Sequence, residues 1–148
     1  MDLNLSGKHA LVCGGSEGIG RAAAHELALL GADVTVLARR AERLQAVAAA
    51  LPHVYEGQRH DWIAADVADQ DALQAQVETL VKTRAAHVLV NNTGGPPGGR
   101  AIDAHASAYL DAFHRHLLTN KNLMQAVLTE MRAARRGRPS ASSRETLE

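Results

Sequence analysis

The chain has 148 residues, the size of one ordinary domain and enough to bury a substantial apolar core. Its 16 basic and 16 acidic residues leave no formal net charge, so the composition favours neither a nucleic-acid partner nor an anionic membrane surface. The single cysteine, Cys13, excludes an internal disulfide, and no apolar stretch approaches the ~20 residues that a membrane span needs. These features predict a cytoplasmic, single-domain protein.

Apolar runs of strand length alternate along the chain with stretches of helical periodicity. The predicted strands cover residues 10–12, 34–37, 62–65 and 88–90, and the predicted helices cover residues 21–30, 41–51, 69–84 and 106–135. Gly31 follows the first helix as a C-terminal stop, and Asp69 precedes the third helix as an N-cap. This alternation predicts an α/β protein with a parallel sheet that helices cover on both faces.

A glycine-rich turn connects the first predicted strand to the first predicted helix. Gly14 permits a tight turn, Gly18 lets the backbone approach a pyrophosphate, and Gly20 lets the helix pack closely on the strand. The N-terminus of the helix offers free N–H groups and a positive dipole end to phosphates. Ser16 either donates its hydroxyl group to a phosphate or caps the helix. The turn is therefore predicted to bind a dinucleotide through Gly14, Gly15, Ser16, Glu17, Gly18, Ile19 and Gly20.

The end of the second predicted strand indicates which dinucleotide the chain prefers. A carboxylate at this point would bind a ribose 2′-hydroxyl and repel a 2′-phosphate. The chain instead has Ala38, followed by Arg39 and Arg40, and guanidinium groups suit bidentate contact with phosphate. This pattern favours NADP(H) over NAD(H), with a solvated surface role for both arginines as the alternative.

Three motifs, in the same order and spacing, resemble those of the short-chain dehydrogenase/reductase family. Residues 12–20 resemble its VTGxxxGIG motif, Asp66-Val67 resembles the aspartate that ends its third strand, and residues 88–94 resemble its fourth strand and Asn-Asn-Ala-Gly motif. The resemblance covers residues 5–136 and extends to 3-oxoacyl-[acyl-carrier-protein] reductases. It implies a Rossmann-type, three-layer, doubly wound sheet with strand order 3-2-1-4 and a ligand crevice between strands 1 and 4.

The resemblance also implies roles for residues near this crevice. Asp66 and Val67 would contact the adenine ring, with capping of the next helix as the alternative for Asp66. Asn91 and Asn92, whose amides can bridge backbone groups across the turn after the fourth strand, would shape the nicotinamide side of the site. Asn92, Thr93 and Gly94 would bind the cofactor, with Thr93 standing where the family has alanine. Residues 94–99 would then line the substrate mouth or form a plain connector.

Other positions depart from the family pattern. Many NADP-using relatives have a basic residue at the position of Glu17, which weakens the prediction of NADP(H). His116 lies where the family has an asparagine that positions a water in a proton relay. Cys13 replaces a threonine and is predicted to pack rather than react. The histidines lack helical ligand spacing near a third ligand, so no metal site is predicted.

The catalytic segment of the family has no counterpart here. In the family, a tyrosine acts as acid and base in ketone reduction, a lysine four residues later lowers its pKa, and a serine holds the carbonyl. Tyr55 and Tyr109 are followed four residues later by Arg59 and Phe113, so neither completes a Tyr-x-x-x-Lys motif. Pro139 and its small polar neighbours argue against a fifth buried strand. We expect residues 137–148 to be a disordered tail of a shortened or frame-shifted sequence.

Two functions follow from the sequence. The first is the NADP(H)-binding domain, residues 1–136, of a ketone/alcohol oxidoreductase that is inactive by itself and whose small substrate binds only in a full-length relative. The second is a non-enzymatic module that binds a dinucleotide or a protein partner. An open fourth strand and an exposed apolar face on the helix over residues 106–135 would then favour self-association.

Overall fold

The computed structural model describes residues 3–94 and 98–133, together with the backbone of residues 138–141. Strands and helices alternate along the chain in one parallel sheet of order β3-β2-β1-β4-β5. The strands are β1 His9–Cys13, β2 Asp33–Ala38, β3 His60–Ala64, β4 Val88–Asn91 and β5 Arg138–Ala141; the helices are α1 Gly18–Leu29, α2 Ala41–Ala50, α3 Gln70–Thr83, α4 Ala106–Phe113 and α5 Thr119–Ala133. The predicted fold class and the order 3-2-1-4 are confirmed.

Helices cover both faces of the sheet, so the central strands are buried on both sides. Successive side chains of β1 point to opposite faces, which puts Leu11 in one apolar cluster and Val12 in the other. Helices α3 and α5 pack against the face that contains Leu11, and α1 and α2 pack against the face that contains Val12. Burial on both faces explains why these strands are almost continuously apolar in sequence.

The predicted signals at two helix ends are confirmed. Gly31 has a φ of +90°, and its N–H donates to the carbonyl of Ala28 at 2.9 Å, which ends α1. The side chain of Asp69 accepts a hydrogen bond from the N–H of Ala72 at 3.1 Å, which caps α3. These bonds satisfy backbone groups that the helices leave without partners.

The predicted helix over residues 106–135 is helical throughout residues 106–133, and it contains a π-type segment that was not predicted. These wider turns, over His114–Leu118, lie between α4 and α5. The hydroxyl of Thr119 donates to the carbonyl of His114 at 3.1 Å, five residues earlier, and Gln70 donates to the same hydroxyl at 2.5 Å. A side chain from α3 therefore contacts the helix at its π-type segment, where local periodicity carries no signal.

The exclusion of a fifth strand was wrong. Residues 138–141 pair with β4 in parallel, with Pro139 opposite Leu89. A strand at the edge of a sheet has a neighbour on one side only and therefore tolerates the missing N–H of proline. The predicted open edge of the fourth strand is therefore also wrong, because β4 has β1 on one side and β5 on the other. The remainder of the predicted disordered tail, residue 137 and residues 142–148, and positions 95–97 of the predicted loop lie outside the described residues.

Candidate functional site

A cleft of about 430 Å³ lies at the carboxyl ends of the parallel strands, between β1 and β4, where successive strands stop adding on one side of β1 and begin adding on the other. It is lined by the glycine turn and by the segments that follow β2, β3 and β4: Gly14, Ser16, Glu17, Gly18, Ile19, Leu37, Ala38, Arg39, Arg40, Ala65, Val67, Asn92, Thr93 and Gly94. The fold brings every predicted cofactor-binding residue to this cleft except Gly15, Gly20 and Asp66. The ligand contacts of these residues stay a prediction.

Gly15 and Gly20 are packed closely against neighbouring atoms. A Cβ atom on Gly20 would collide with the carbonyl oxygen of Gly14, and one on Gly15 would lie 2.9 Å from the side chain of Val36. Both contacts are closer than side chains tolerate, so glycine lets the turn and the start of α1 lie directly against the sheet. Close packing was predicted at Gly20 and not at Gly15.

The space in front of α1 fits the phosphates of a dinucleotide. Gly18 has a φ of +55°, and a Cβ atom there would meet nothing within 4 Å, so its backbone faces open space. Glu17 occupies the N-cap position of α1 and makes no side-chain cap hydrogen bond. The helix therefore offers its first N–H groups and its positive dipole end to the cleft. Because Glu17 is the N-cap residue, the capping alternative for Ser16 is wrong, and Ser16 lines the cleft.

Three charged side chains meet at the cleft beside the end of β2. Glu17 accepts a hydrogen bond from Nη1 of Arg43 at 2.6 Å, and its other oxygen lies 3.6 Å from Nη2 of Arg40. Ala38 is half-buried, Arg39 is exposed, and no ion pair found among the described residues includes Arg39. Arg43 was not among the predicted site residues, although its position three residues after Arg40 puts both on one side of the first turn of α2.

The end of β3 contributes apolar side chains to the cleft. Ala65 and Val67 line it, whereas the exposed Asp66 accepts a hydrogen bond from the N–H of Ala68 at 2.9 Å. Such a bond fixes the turn after the strand. The N-cap of α3 is Asp69, so the capping alternative for Asp66 is wrong.

The turn after β4 is tied to the glycine turn and to the π-type segment. The side-chain amide of Asn92 donates to the carbonyl of Gly14 at 3.4 Å, as an amide that bridges backbone groups should. The hydroxyl of Thr93 and Nδ1 of His116 form a hydrogen bond of 2.7 Å. Nε2 of His116 is buried and has no hydrogen-bond partner within the described part of the chain. Thr93 and His116, two of the positions that depart from the family pattern, thus contact each other.

Cys13 is fully buried at the end of β1, and burial raises the pKa of its thiol to about 12. A thiol of this kind packs as a small apolar group and does not react as a thiolate.

Within the described ranges, no three His, Cys, Asp or Glu side chains are arranged to hold a metal ion. No helix in those ranges has the length and apolar content of a membrane-spanning segment.

The parallel sheet has helices on both faces, and its glycine turn and cleft lie where the strand order changes direction between β1 and β4. These features define a Rossmann-type α/β protein. Comparison with protein families matches residues 8–138 to the family described as short chain dehydrogenase. The chain therefore belongs to the short-chain dehydrogenase family.

Individual relatives agree with this assignment. The chain is 32% identical over 123 residues to carbonyl reductase family member 4 of Danio rerio, covering 82% of this chain and 50% of that protein. It resembles the L-sorbose reductase of Gluconobacter frateurii, solved with NADPH and L-sorbose, with a TM-score of 0.85 and 30% identity over 95% of this chain and 54% of that one. A 3-oxoacyl (acyl-carrier-protein) reductase from Agrobacterium tumefaciens, solved with NADP, shares the fold with a TM-score of 0.83 and 24% identity, covering 95% and 54%. The chain spans about half the length of these relatives.

Proposed function

We propose that the chain is the NADP(H)-binding portion of a short-chain dehydrogenase/reductase that interconverts a ketone and an alcohol. The observation that carries this proposal is the cleft at the carboxyl ends of β1 and β4, where the N-terminus of α1 has no side-chain cap and faces open space at Gly18. Bound NADPH would supply the hydride for ketone reduction. Membership of the family and relatives solved with NADP or NADPH support the same cofactor class.

The residues present fit a dinucleotide along the length of the cleft. The glycine turn would hold the pyrophosphate at Gly18, and the apolar side chain of Val67 would contact the adenine ring. At the other end, Thr93 and Gly94 would lie beside the nicotinamide. The hydrogen bond from Asn92 to the glycine turn supports this arrangement because it holds two walls of the cleft together.

The adenosine end of the cleft supports NADP(H) over NAD(H). Ala38 offers no carboxylate to a ribose hydroxyl, and the guanidinium groups of Arg39 and Arg40 line the same end. Arginine matches the geometry of a phosphate and stays charged at any physiological pH. A 2′-phosphate would therefore find cations there, and β2 itself ends without a carboxylate.

We further propose that this chain does not reduce ketones by itself. Neither tyrosine is followed by lysine four residues later. The hydroxyl of Tyr55 lies 3.5 Å from Asp33, at the amino end of the sheet and away from the cleft. The hydroxyl of Tyr109 donates to the carbonyl of Ala101 at 2.6 Å. Neither side chain is available as an acid and base beside the cleft.

Exposed apolar side chains support the predicted self-association. Leu110, Phe113 and Leu117 are 61%, 50% and 56% exposed on α4 and the π-type segment. Adjacent exposed apolar side chains favour contact with another protein surface. Light scattering across a concentration series should detect a defined oligomer, and the Phe113→Ser variant should dissociate it. A wild-type chain that stays monomeric at the highest concentration would contradict this proposal.

Titration of the purified chain with NADPH and NADH, followed by cofactor fluorescence, tests the cofactor proposal. We expect NADPH to bind more tightly, and Arg39→Ala to weaken NADPH by roughly tenfold while NADH changes little, because a charge-assisted bond to phosphate is lost. Arg132→Ala, an exposed arginine of α5, is the matched control and should change neither affinity. Absence of binding, or equal losses for both cofactors, would contradict the proposal.

A parallel assay of NADPH-dependent ketone reduction tests the proposed inactivity. We expect no turnover from the isolated chain at cofactor concentrations that saturate binding. Measurable turnover that tracks the purified chain would show that another group acts as the acid, with His116 as the first residue to replace.

A further inference from the structure

The ion pairs at the adenosine end of the cleft connect two elements that are distant in sequence. Glu17, at the start of α1, contacts Arg43 at 2.6 Å and approaches Arg40 at 3.6 Å. Their side chains stay 65%, 51% and 58% exposed, so water and a ligand can reach all three. Glu17 and Arg40 themselves line the cleft.

We propose that Arg43 belongs to the site for the 2′-phosphate and that Glu17 is an internal anion that competes with this phosphate for Arg40 and Arg43. The inference rests on the proposed function, because it requires a dinucleotide in the cleft. It adds Arg43 of α2 to the residues that bind the phosphate. It also gives Glu17, which departs from the family pattern, a role in cofactor specificity.

The charges at this end of the cleft support the proposal. Arg39, Arg40 and Arg43 contribute three positive charges, and Glu17 and Glu42 contribute two negative charges. The remaining positive charge favours a phosphate monoester, which carries about −1.5 to −2 near pH 7. Arg40 is the N-cap residue of α2, and Arg43 follows one helical turn later on the same side, so a single anion can contact both.

The position of Glu17 makes it a competitor. Its two oxygens face separate guanidinium groups, as two oxygens of a phosphate would. A phosphate that binds these guanidinium groups must displace the carboxylate or lie beside it, and the two anions repel each other. Because exposed ion pairs contribute little to stability, variants at these positions should retain the fold.

Affinities for NADPH and NADH, measured by fluorescence titration on single variants of the full chain, test the inference. Glu17→Gln should strengthen NADPH binding by about fivefold, because a unit negative charge near the phosphate is removed. Arg43→Gln should weaken NADPH binding by about fivefold, because a unit positive charge is lost. NADH, which lacks the 2′-phosphate, should change by less than about twofold in both variants.

Two control variants make the same charge changes away from these contacts. Glu56 is exposed in the turn before β3, at the amino end of the sheet, and none of the ion pairs of the described residues includes it. Lys82 is exposed in the last turn of α3. Glu56→Gln and Lys82→Gln should leave the ratio of NADPH to NADH affinity unchanged.

The outcomes separate this inference from the proposed function. If the wild-type chain prefers NADPH but Glu17→Gln and Arg43→Gln leave the affinity ratio unchanged, the inference fails and the proposed function stands. If Glu17→Gln weakens NADPH binding, Glu17 positions the arginines and the competition is refuted. If the wild-type chain binds neither cofactor, both proposals fail.

Discussion

His9 should make the fold sensitive to mild acid. This residue begins β1 and is only 2% exposed. Its Nε2 lies 2.8 Å from the hydroxyl of Thr35, and its Nδ1 lies 3.2 Å from the carbonyl of Arg84. A neutral ring satisfies both contacts, because one nitrogen donates and the other accepts. Burial, with a smaller contribution from the charge of Arg84, lowers the pKa of His9 from 6.5 to about 4.

The direction and size of the effect follow from proton linkage. The unfolded chain binds a proton at His9 near pH 6.5, whereas the folded chain binds it only near pH 4. The contribution of the neutral His9 to the free energy of unfolding is therefore fully present above pH 6.5 and is lost as the pH falls towards 4. The pKa difference of about 2.5 corresponds to about 3 kcal/mol in all, of which about 2 kcal/mol is lost between about pH 7.5 and pH 5. Burial also lowers the pKa of His60, so His60 adds to the same loss of stability.

Urea unfolding at pH 7.5 and 5.0, followed by the fluorescence of Trp62, measures this loss. The double variant His9→Leu, Thr35→Val replaces the buried polar pair by apolar side chains and should lose about 2 kcal/mol less than the wild-type chain on acidification. The control His25→Gln changes a histidine whose side chain is 51% exposed and should behave as the wild-type chain does. Equal acid-induced losses in the double variant and the wild-type chain would refute the assignment to His9.

Three further predictions concern packing and reactivity. Gly20→Ala should destabilise the fold by at least about 1 kcal/mol in urea unfolding, because the added Cβ meets the carbonyl of Gly14; unchanged stability would show that the turn can move aside. Leu89→Ala removes a fully buried side chain of β4 and should cost about 2–5 kcal/mol, whereas Leu110→Ala, at a side chain 61% exposed, should cost less than about 0.5 kcal/mol. Cys13 should resist iodoacetamide in the folded chain and react once urea unfolds it, since its pKa is raised to about 12; rapid labelling of the folded chain would contradict its burial.

Local sequence patterns predicted most of the fold correctly. The apolar runs predicted β1 to β4 and are most continuous in β1 and β2, because central strands buried on both faces must be apolar at nearly every position. Gly31 and Asp69 were assignable because a helix end needs particular backbone geometry or a nearby acceptor, and both requirements act within a few residues. The glycine turn was recognisable for the same reason, since its spacing is a property of one short segment.

Contacts between distant segments were not predictable in this way. The pairing of β5 with β4 depends on the edge of the finished sheet, so the composition around Pro139 was misleading. The π-type segment between α4 and α5 is followed by Thr119, which accepts a hydrogen bond from Gln70 of another helix. The contact between Thr93 and His116 likewise joins two elements, and only the fold shows that these two departures from the family pattern are neighbours.

The sequence by itself thus determined the fold class, the family and the position of the glycine turn, because each depends on periodicity or spacing within short segments. Only the tertiary structure decided which charges meet at the adenosine end of the cleft. Glu17 and Arg43 are far apart in sequence, and the parallel packing of β1 and β2 brings the segments that follow them together. Side-chain electrostatics depends on distances in space, and the fold alone sets those distances.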